Sequence, residues 1–277
     1  MDLTARQVSS SLRSLDIRPT RGKGQNFLTS RAVVEQIADL VKATPRDIVV
    51  EVGPGLGALT EALAKRAGNV VAIELDDRLA EHLRQTSAHA NLQVISGDAL
   101  TIDPATFLPG SASYLFAANL PYSTGAAIVR RFLEMDRPPS RMVVMLQKEV
   151  AERMAAAPPD MSILGVAVQM YGRAEIALHV PPEAFKPRPK VDSAVLVIEP
   201  HITPLLPLSD RQAFFEIVHA GFHQKRKQLA NTLAAGLRVP KTDVTALLLE
   251  SGIEPQRRAE TLEIHEWLTL FENWRHR

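Results

Sequence analysis

The sequence predicts an α/β protein: a mostly parallel sheet of seven strands covered by helices, followed by a small all-helical domain. Three observations predict it. From residue 47, short β-branched runs alternate with helix-patterned segments. Those runs are apolar nearly throughout, as strands buried on both faces of a sheet are. Beyond residue 210 the apolar spacing is purely helical.

The runs are IVVEV (48–52), VVAIE (70–74), LQVI (92–95), SYLFAA (113–118) and MVVML (142–146), with ALTEALAKRA and DRLAEHLRQ as helices between the first pairs. EIALHV (175–180) and SAVLVI (193–198) are joined by PPEAFKPRPK, which has no helical pattern, so this pair is expected to be antiparallel at one end of the sheet. PHITPLLPLSD (200–210) is punctuated by proline and reads as a linker. RQAFFEIVHAGF, KRKQLANTLAAG, KTDVTALLLESG and HEWLTLFENW follow, all patterned as helices. The expected organisation is a basic, flexible segment over 1–24, the sheet domain over 25–203 and the helical domain over 204–277. The stretch 158–169, PPDMSILGVAVQ, leaves its own conformation open.

Composition sets limits. The 277 residues are 45% hydrophobic and 23% charged, which excludes wholesale disorder. There are no cysteines, so disulfides, thiolate metal sites and cysteine nucleophiles are ruled out together. No stretch approaches the roughly 20 apolar residues of a membrane span, and no signal peptide is evident, so a cytoplasmic protein is expected. The formal charge is only +1, yet it is uneven. Residues 1–31 carry Arg6, Arg13, Arg18, Arg21, Lys23 and Arg31 against Asp2 and Asp16, and residues 222–241 carry five basic side chains and no acid. Solvated faces and a loose tail are the better account of such runs, and a phosphate-binding surface needs support from elsewhere.

The first strand runs into EVGPGLG, where Gly53, Gly55 and Gly57 allow a tight turn with backbone N–H groups close to a ligand. Glu74 closes the second strand, 21 residues after Gly53, where its carboxylate can accept from two ribose hydroxyls. The glycine spacing is G-x-G-x-G rather than the G-x-G-x-x-G of a pyrophosphate site, and no P-loop lysine follows. Asp98, after the third strand, can accept from an adenine amino group. Two acids beside a close glycine turn suit an adenosyl cofactor with a positive sulfonium, and S-adenosylmethionine fits best. A nicotinamide enzyme is disfavoured by the same spacing.

The fourth strand ends in Asn119-Leu120-Pro121-Tyr122. An exocyclic base amine is a weak nucleophile because its lone pair is delocalised into the ring. A site that alkylates it should accept its N–H bonds, here with the Asn119 side-chain oxygen and the Leu120 carbonyl. Pro121 has no N–H and stiffens that carbonyl, and Tyr122 can stack on a flipped base. His219 and His223 share a helix face at metal-like spacing, but no third ligand lies nearby and no metal is expected.

With GQNFL (24–28), EVGPGLGALT, GDAL, NLPY, FKPRPKVDSAV, HQKRKQLANTL and RRAETL, nearly the whole chain resembles the KsgA/RsmA family of small-subunit ribosomal RNA dimethyladenosine transferases. The resemblance implies a Rossmann-like class I methyltransferase fold with a helical C-terminal domain. It implies cofactor contacts at Asn26, Leu28, Gly53, Glu74, Asp98 and Asn119, the first two in a flap over the methionine end. It implies Phe185 as a second aromatic wall for the adenine, facing Tyr122. Lys186, Arg188 and Lys190, together with Lys225, Arg226 and Lys227, become the expected RNA-facing residues. The implied partner is 16S rRNA in the 30S subunit, where two adjacent adenosines near the 3′ end each receive two methyl groups. A monomer is expected. A resistance-type methyltransferase of large-subunit RNA and an assembly factor acting by binding immature 30S subunits are the alternatives.

Overall fold

The computed structural model of the chain describes residues 4–17, 26–108, 110, 112–224 and 226–276. Its first part contains helix α1 (Ala5–Ser14), strand β1 (Phe27–Leu28), α2 (Arg31–Val41), β2 (Ile48–Val52), α3 (Ala58–Ala64), β3 (Asn69–Glu74), α4 (Asp77–Thr86) and β4 (Leu92–Ser96). Then come β5 (Tyr114–Asn119), α5 (Gly125–Glu134), β6 (Arg141–Gln147), α6 (Lys148–Met154), α7 (Ile163–Gln169), β7 (Gly172–Val180), β8 (Phe185–Lys186) and β9 (Ser193–Pro200). The last helices are α8 (Arg211–Phe222), α9 (Leu229–Leu237), α10 (Lys241–Glu250) and α11 (Ile264–Arg275).

Seven strands form one sheet in the order β4-β3-β2-β5-β6-β9-β7. The pairs from β4 through to β6 are parallel, and β9 runs antiparallel to β6. The last two strands therefore stand at one end of the sheet, with β9 inside β7. Val70 to Ile73 are all buried, as are Val49 to Val52, because helices cover both faces of the central strands. The chain leaves β2 toward β3 and β4 on one side, then crosses to β5 and β6 on the other. Such a reversal opens a crevice at the carboxyl ends of the strands. Val52 lies opposite Ile73 and Ala118, so Gly53, Glu74 and Asn119 all emerge at this edge.

The N-terminal segment corrects the expectation of a flexible tail. Thr4 and Gln7 form a reciprocal capping box at the start of α1. Val8 and Leu12, one turn apart, bury against Ile17, Phe27, Leu56 and Leu79. A cap and an i,i+4 apolar pair are enough to dock a polar helix. Of the remaining residues assigned to the tail, 1–3 and 18–24 lie outside the described residues.

The chain divides into two compact units: residues up to Ala151 with Ala174–Pro200, and Glu152–Arg173 with the chain from His201 on. The helical unit thus takes in residues that lie inside the 25–203 span expected for the sheet domain. Polar contacts explain the grouping. The Met161 N–H donates to the Glu260 carbonyl at 2.9 Å and the His201 N–H to the Tyr171 carbonyl at 2.7 Å, while the Arg211 guanidinium lies 4.8 Å over the Tyr171 ring. Ser162 settles the open stretch: its hydroxyl caps α7 by accepting from the Gly165 N–H at 2.9 Å. In the core of this unit, Phe222 stacks on Trp267 and Phe271 meets Phe214 edge-on. Gly221 lets α8 approach closely, for a Cβ there would fall 2.5 Å from the Trp267 ring.

Candidate active site

A cleft of about 330 Å³ opens at the carboxyl edge of the sheet, bounded by the β2–α3 turn, the end of β3, the β5–α5 turn and residues 26–28. The turn is built on left-handed glycines: Gly53, Gly55 and Gly57 have φ of 69°, 57° and 85°. A Cβ on Gly55 would lie 3.1 Å from the Phe27 ring, so any larger residue would intrude between the turn and the segment beside it.

Glu74 is held from both oxygens. Its Oε2 accepts the Gly55 N–H and its Oε1 the Asp76 N–H, each at 3.0 Å. Burial pushes its pKa up, while backbone hydrogen bonds from Asp76, Gly55 and Leu75 pull the other way. The carboxylate is thus aimed before any ligand arrives. Arg78 buttresses it indirectly, bridging the Asp76 carboxylate and the Asp16 carbonyl at the end of α1.

Asn119 Nδ2 donates to the Asn26 carbonyl at 3.0 Å, which fixes the amide and turns its Oδ1 toward use as an acceptor. The Leu120 N–H donates to the Met145 carbonyl at 3.1 Å, and the Pro121 carbonyl accepts the Gly125 N–H at 2.9 Å as α5 begins. The turn is therefore anchored to β6 on one side and to a helix on the other. The Tyr122 hydroxyl lies 3.0 Å from Ser193 Oγ, and burial raises its pKa. Asn26 and Leu28 reach the cleft because β1 pairs antiparallel with β8, and the Thr29 N–H and hydroxyl both donate to the Ala184 carbonyl.

The cleft thus gathers Asn26, Leu28, Gly53, Glu74, Asn119, Leu120, Pro121 and Tyr122. Two sequence-predicted residues are not among its walls. Phe185 is 4% exposed and belongs to the apolar core with Leu28, Val180 and Val195. Pairing in β8 turns its ring inward, where a stiff surface loop facing Tyr122 was expected. Asp98 follows Gly97, whose N–H donates to the Glu74 carbonyl at 2.8 Å. Its Oδ1 accepts the Leu100 N–H at 2.8 Å, which turns it to its own loop.

Among the basic residues, Lys186 on β8 and Arg188 and Lys190 on the β8–β9 loop are exposed, with Arg188 paired to Glu183. Arg226 and Lys227 are exposed between α8 and α9, and Lys225 lies outside the described residues. His219 is exposed on α8 beside the Phe215 ring.

Two residues drew no candidate role from the sequence. Glu51 is 1% exposed, lines the cleft, and has an Oε2 with no hydrogen-bond partner. Burial pushes its carboxyl up to about 8; the nearby Thr60 hydroxyl offsets part of this and the Glu74 charge adds to it. The signal was present as a lone acid within the apolar run IVVEV. Ser193 is the other, an unremarked serine in a strand.

The cleft fits an adenosyl sulfonium cofactor on this geometry. The glycine turn leaves a cradle that a Cβ would narrow, Glu74 presents a pre-aimed acceptor, and Glu51 holds an orphan buried carboxyl oxygen. Among the described residues, no helix is long and apolar enough to cross a membrane.

A family model for ribosomal RNA adenine dimethylase matches residues 20–275. A ribosomal RNA small subunit methyltransferase A of Dehalococcoides mccartyi is 43% identical over 265 residues, covering 95% of this chain and 91% of the relative. Among solved structures, a dimethyladenosine transferase from Plasmodium falciparum superposes with a TM-score of 0.78 at 25% identity, covering 90% of this chain and 98% of that one. The 23S rRNA methyltransferase ErmE superposes with a TM-score of 0.72 at 30% identity, covering 90% and 99%.

Proposed function

Because the chain belongs to the ribosomal RNA adenine dimethylase family, we propose that it transfers methyl groups from S-adenosylmethionine to the N6 amines of two adjacent adenosines in the 3′-terminal hairpin of 16S rRNA. The substrate is the 30S subunit, and the enzyme acts in the cytoplasm as a monomer. The single observation that carries the choice of an amine is the Asn119–Tyr122 turn, whose amide is oriented by the Asn26 carbonyl at the sheet edge.

The cofactor supplies a methyl group already activated on a positive sulfonium. Glu74 would hold the ribose hydroxyls, and Glu51 would meet the cofactor ammonium with its unpaired oxygen. Asn26 and Leu28 would cover the methionine end. The Asn119 Oδ1 and the Leu120 carbonyl accept the N–H bonds of the target amine. That interaction turns the lone pair out of conjugation and along the line of transfer. Tyr122 supplies the stacking face for a flipped adenine. The displaced proton leaves to water once the amine carries positive charge, so no strong base is needed. A monomethylated amine keeps one N–H, and one of the two acceptors suffices to orient it for the second transfer. The exposed charges of Lys186, Arg188 and Lys190, and of Arg226 and Lys227, support phosphate contacts that locate the RNA without reading its bases.

Labelled methyl transfer to 30S subunits lacking the modification tests this. Dimethyladenosine in the small-subunit RNA is expected, with Asn119→Ala slowing transfer by about 100-fold, as the loss of one preorganised hydrogen-bonding group does. Label confined to large-subunit RNA would place the enzyme with the activity named for ErmE. No label, with 30S binding intact, would leave binding during subunit maturation as the function.

A further inference from the structure

We propose that Ser193 is a positioning residue for methyl transfer, setting the plane of the Tyr122 ring; this rests on Tyr122 being the stacking face for the target adenine. The Ser193 side chain is wholly buried, and its Oγ lies 3.0 Å from the Tyr122 hydroxyl. A buried hydroxyl needs a partner, and Tyr122 supplies it.

The two ends of this hydrogen bond differ in freedom. Ser193 opens β9 opposite Gln147 of β6, and the residue before it is also fixed, for the Lys148 N–H donates to the Asp192 carbonyl at 3.0 Å. Tyr122 sits in the turn between β5 and α5, half-buried, and lines the cleft. A tyrosine χ1 has three staggered wells to choose from and its χ2 well is broad, and the phenol oxygen is the atom farthest from the backbone. Fixing that atom against an immobile serine removes most of the swing. A base stacked on the ring inherits its plane, so the angle between amine lone pair and methyl donor is set from β9. The serine is not among the residues that line the cleft.

The test is single-turnover methyl transfer to 30S subunits at saturating S-adenosylmethionine, using Ser193→Ala, Tyr122→Phe, the double variant and Tyr122→Ala. Cofactor affinity is measured in parallel by calorimetry. Ser193→Ala and Tyr122→Phe should each slow transfer by roughly two- to tenfold, the worth of one hydrogen bond. The double variant should be no slower than either, and cofactor affinity should be unchanged. A merely structural serine would shift stability without this coupling. Additive losses, or a wild-type rate for Ser193→Ala while Tyr122→Ala is inactive, would overturn the role of Ser193 and leave the stacking role standing. A wild-type rate for Tyr122→Ala would instead remove the stacking role, and the role of Ser193 with it.

Discussion

Glu51→Gln should make the unliganded protein more stable at neutral pH, by an amount the buried carboxyl fixes. Its pKa rises from 4.5 in the unfolded chain to about 8 when folded, chiefly because burial disfavours the charge. A folded-state pKa above the unfolded value means that the native protein holds a proton the unfolded chain has released. Stability from this group is therefore complete below pH 4.5 and is lost as pH rises toward 8. At 1.36 kcal/mol per pH unit, the loss is about 3 kcal/mol at pH 7 and about 1 kcal/mol at pH 5. Glutamine keeps the shape and cannot ionise, so the variant escapes the loss. About 3 kcal/mol corresponds to a rise of roughly 6–12 °C in melting temperature for a unit of this size. Urea unfolding of both proteins at pH 5, 6, 7 and 8, without cofactor, reads the difference directly. The gap should widen with pH and level off above 8. A gap that stays constant from pH 5 to 8 would refute the claim that Glu51 is buried and protonated. The same exchange should weaken S-adenosylmethionine binding, since a bound ammonium would favour the ionised form of Glu51 and glutamine cannot ionise.

Two further outcomes follow from packing. Gly221→Ala places a methyl 2.5 Å from the Trp267 ring and should cost about 1–3 kcal/mol of overpacking, read by tryptophan fluorescence during denaturation of the helical unit. Arg78→Ala removes the bridge between the Asp16 carbonyl and the Asp76 carboxylate. Amide hydrogen exchange at Val8 and Leu12 should then quicken while that of β2 is unchanged, and equal protection in both proteins would show that α1 is held by its apolar face alone.

The middle of the sheet was legible because its strands are buried on both sides, as VVAIE and MVVML are. Gly53, Glu74 and the Asn119–Tyr122 turn were legible because each sits where a strand ends. What escaped depends on partners distant in sequence. The α1 segment is polar overall, and only two apolar residues dock it. Phe185 was placed by the chemistry of its neighbours, Pro187 and the surrounding cations, whereas its burial follows from pairing with Leu28 far earlier in the chain. Asp98 has a strand-end position like that of Glu74, but a local backbone N–H claims it first. The serine at 193 means nothing until β9 is laid beside β6.

The pairing of β1 with β8 has a consequence for anyone recombining this protein with its relatives. Thr29 and Ala184 are 155 positions apart, yet residues 26–29 and 184–186 form one ribbon. A chimera that imports the proline-rich loop of another species inherits a strand cut to fit a different partner. The mismatch would surface at Asn26, and through its carbonyl at the amide of Asn119, far from the splice. The crossover units of this enzyme are accordingly discontinuous: a graft of either motif succeeds only as a matched pair.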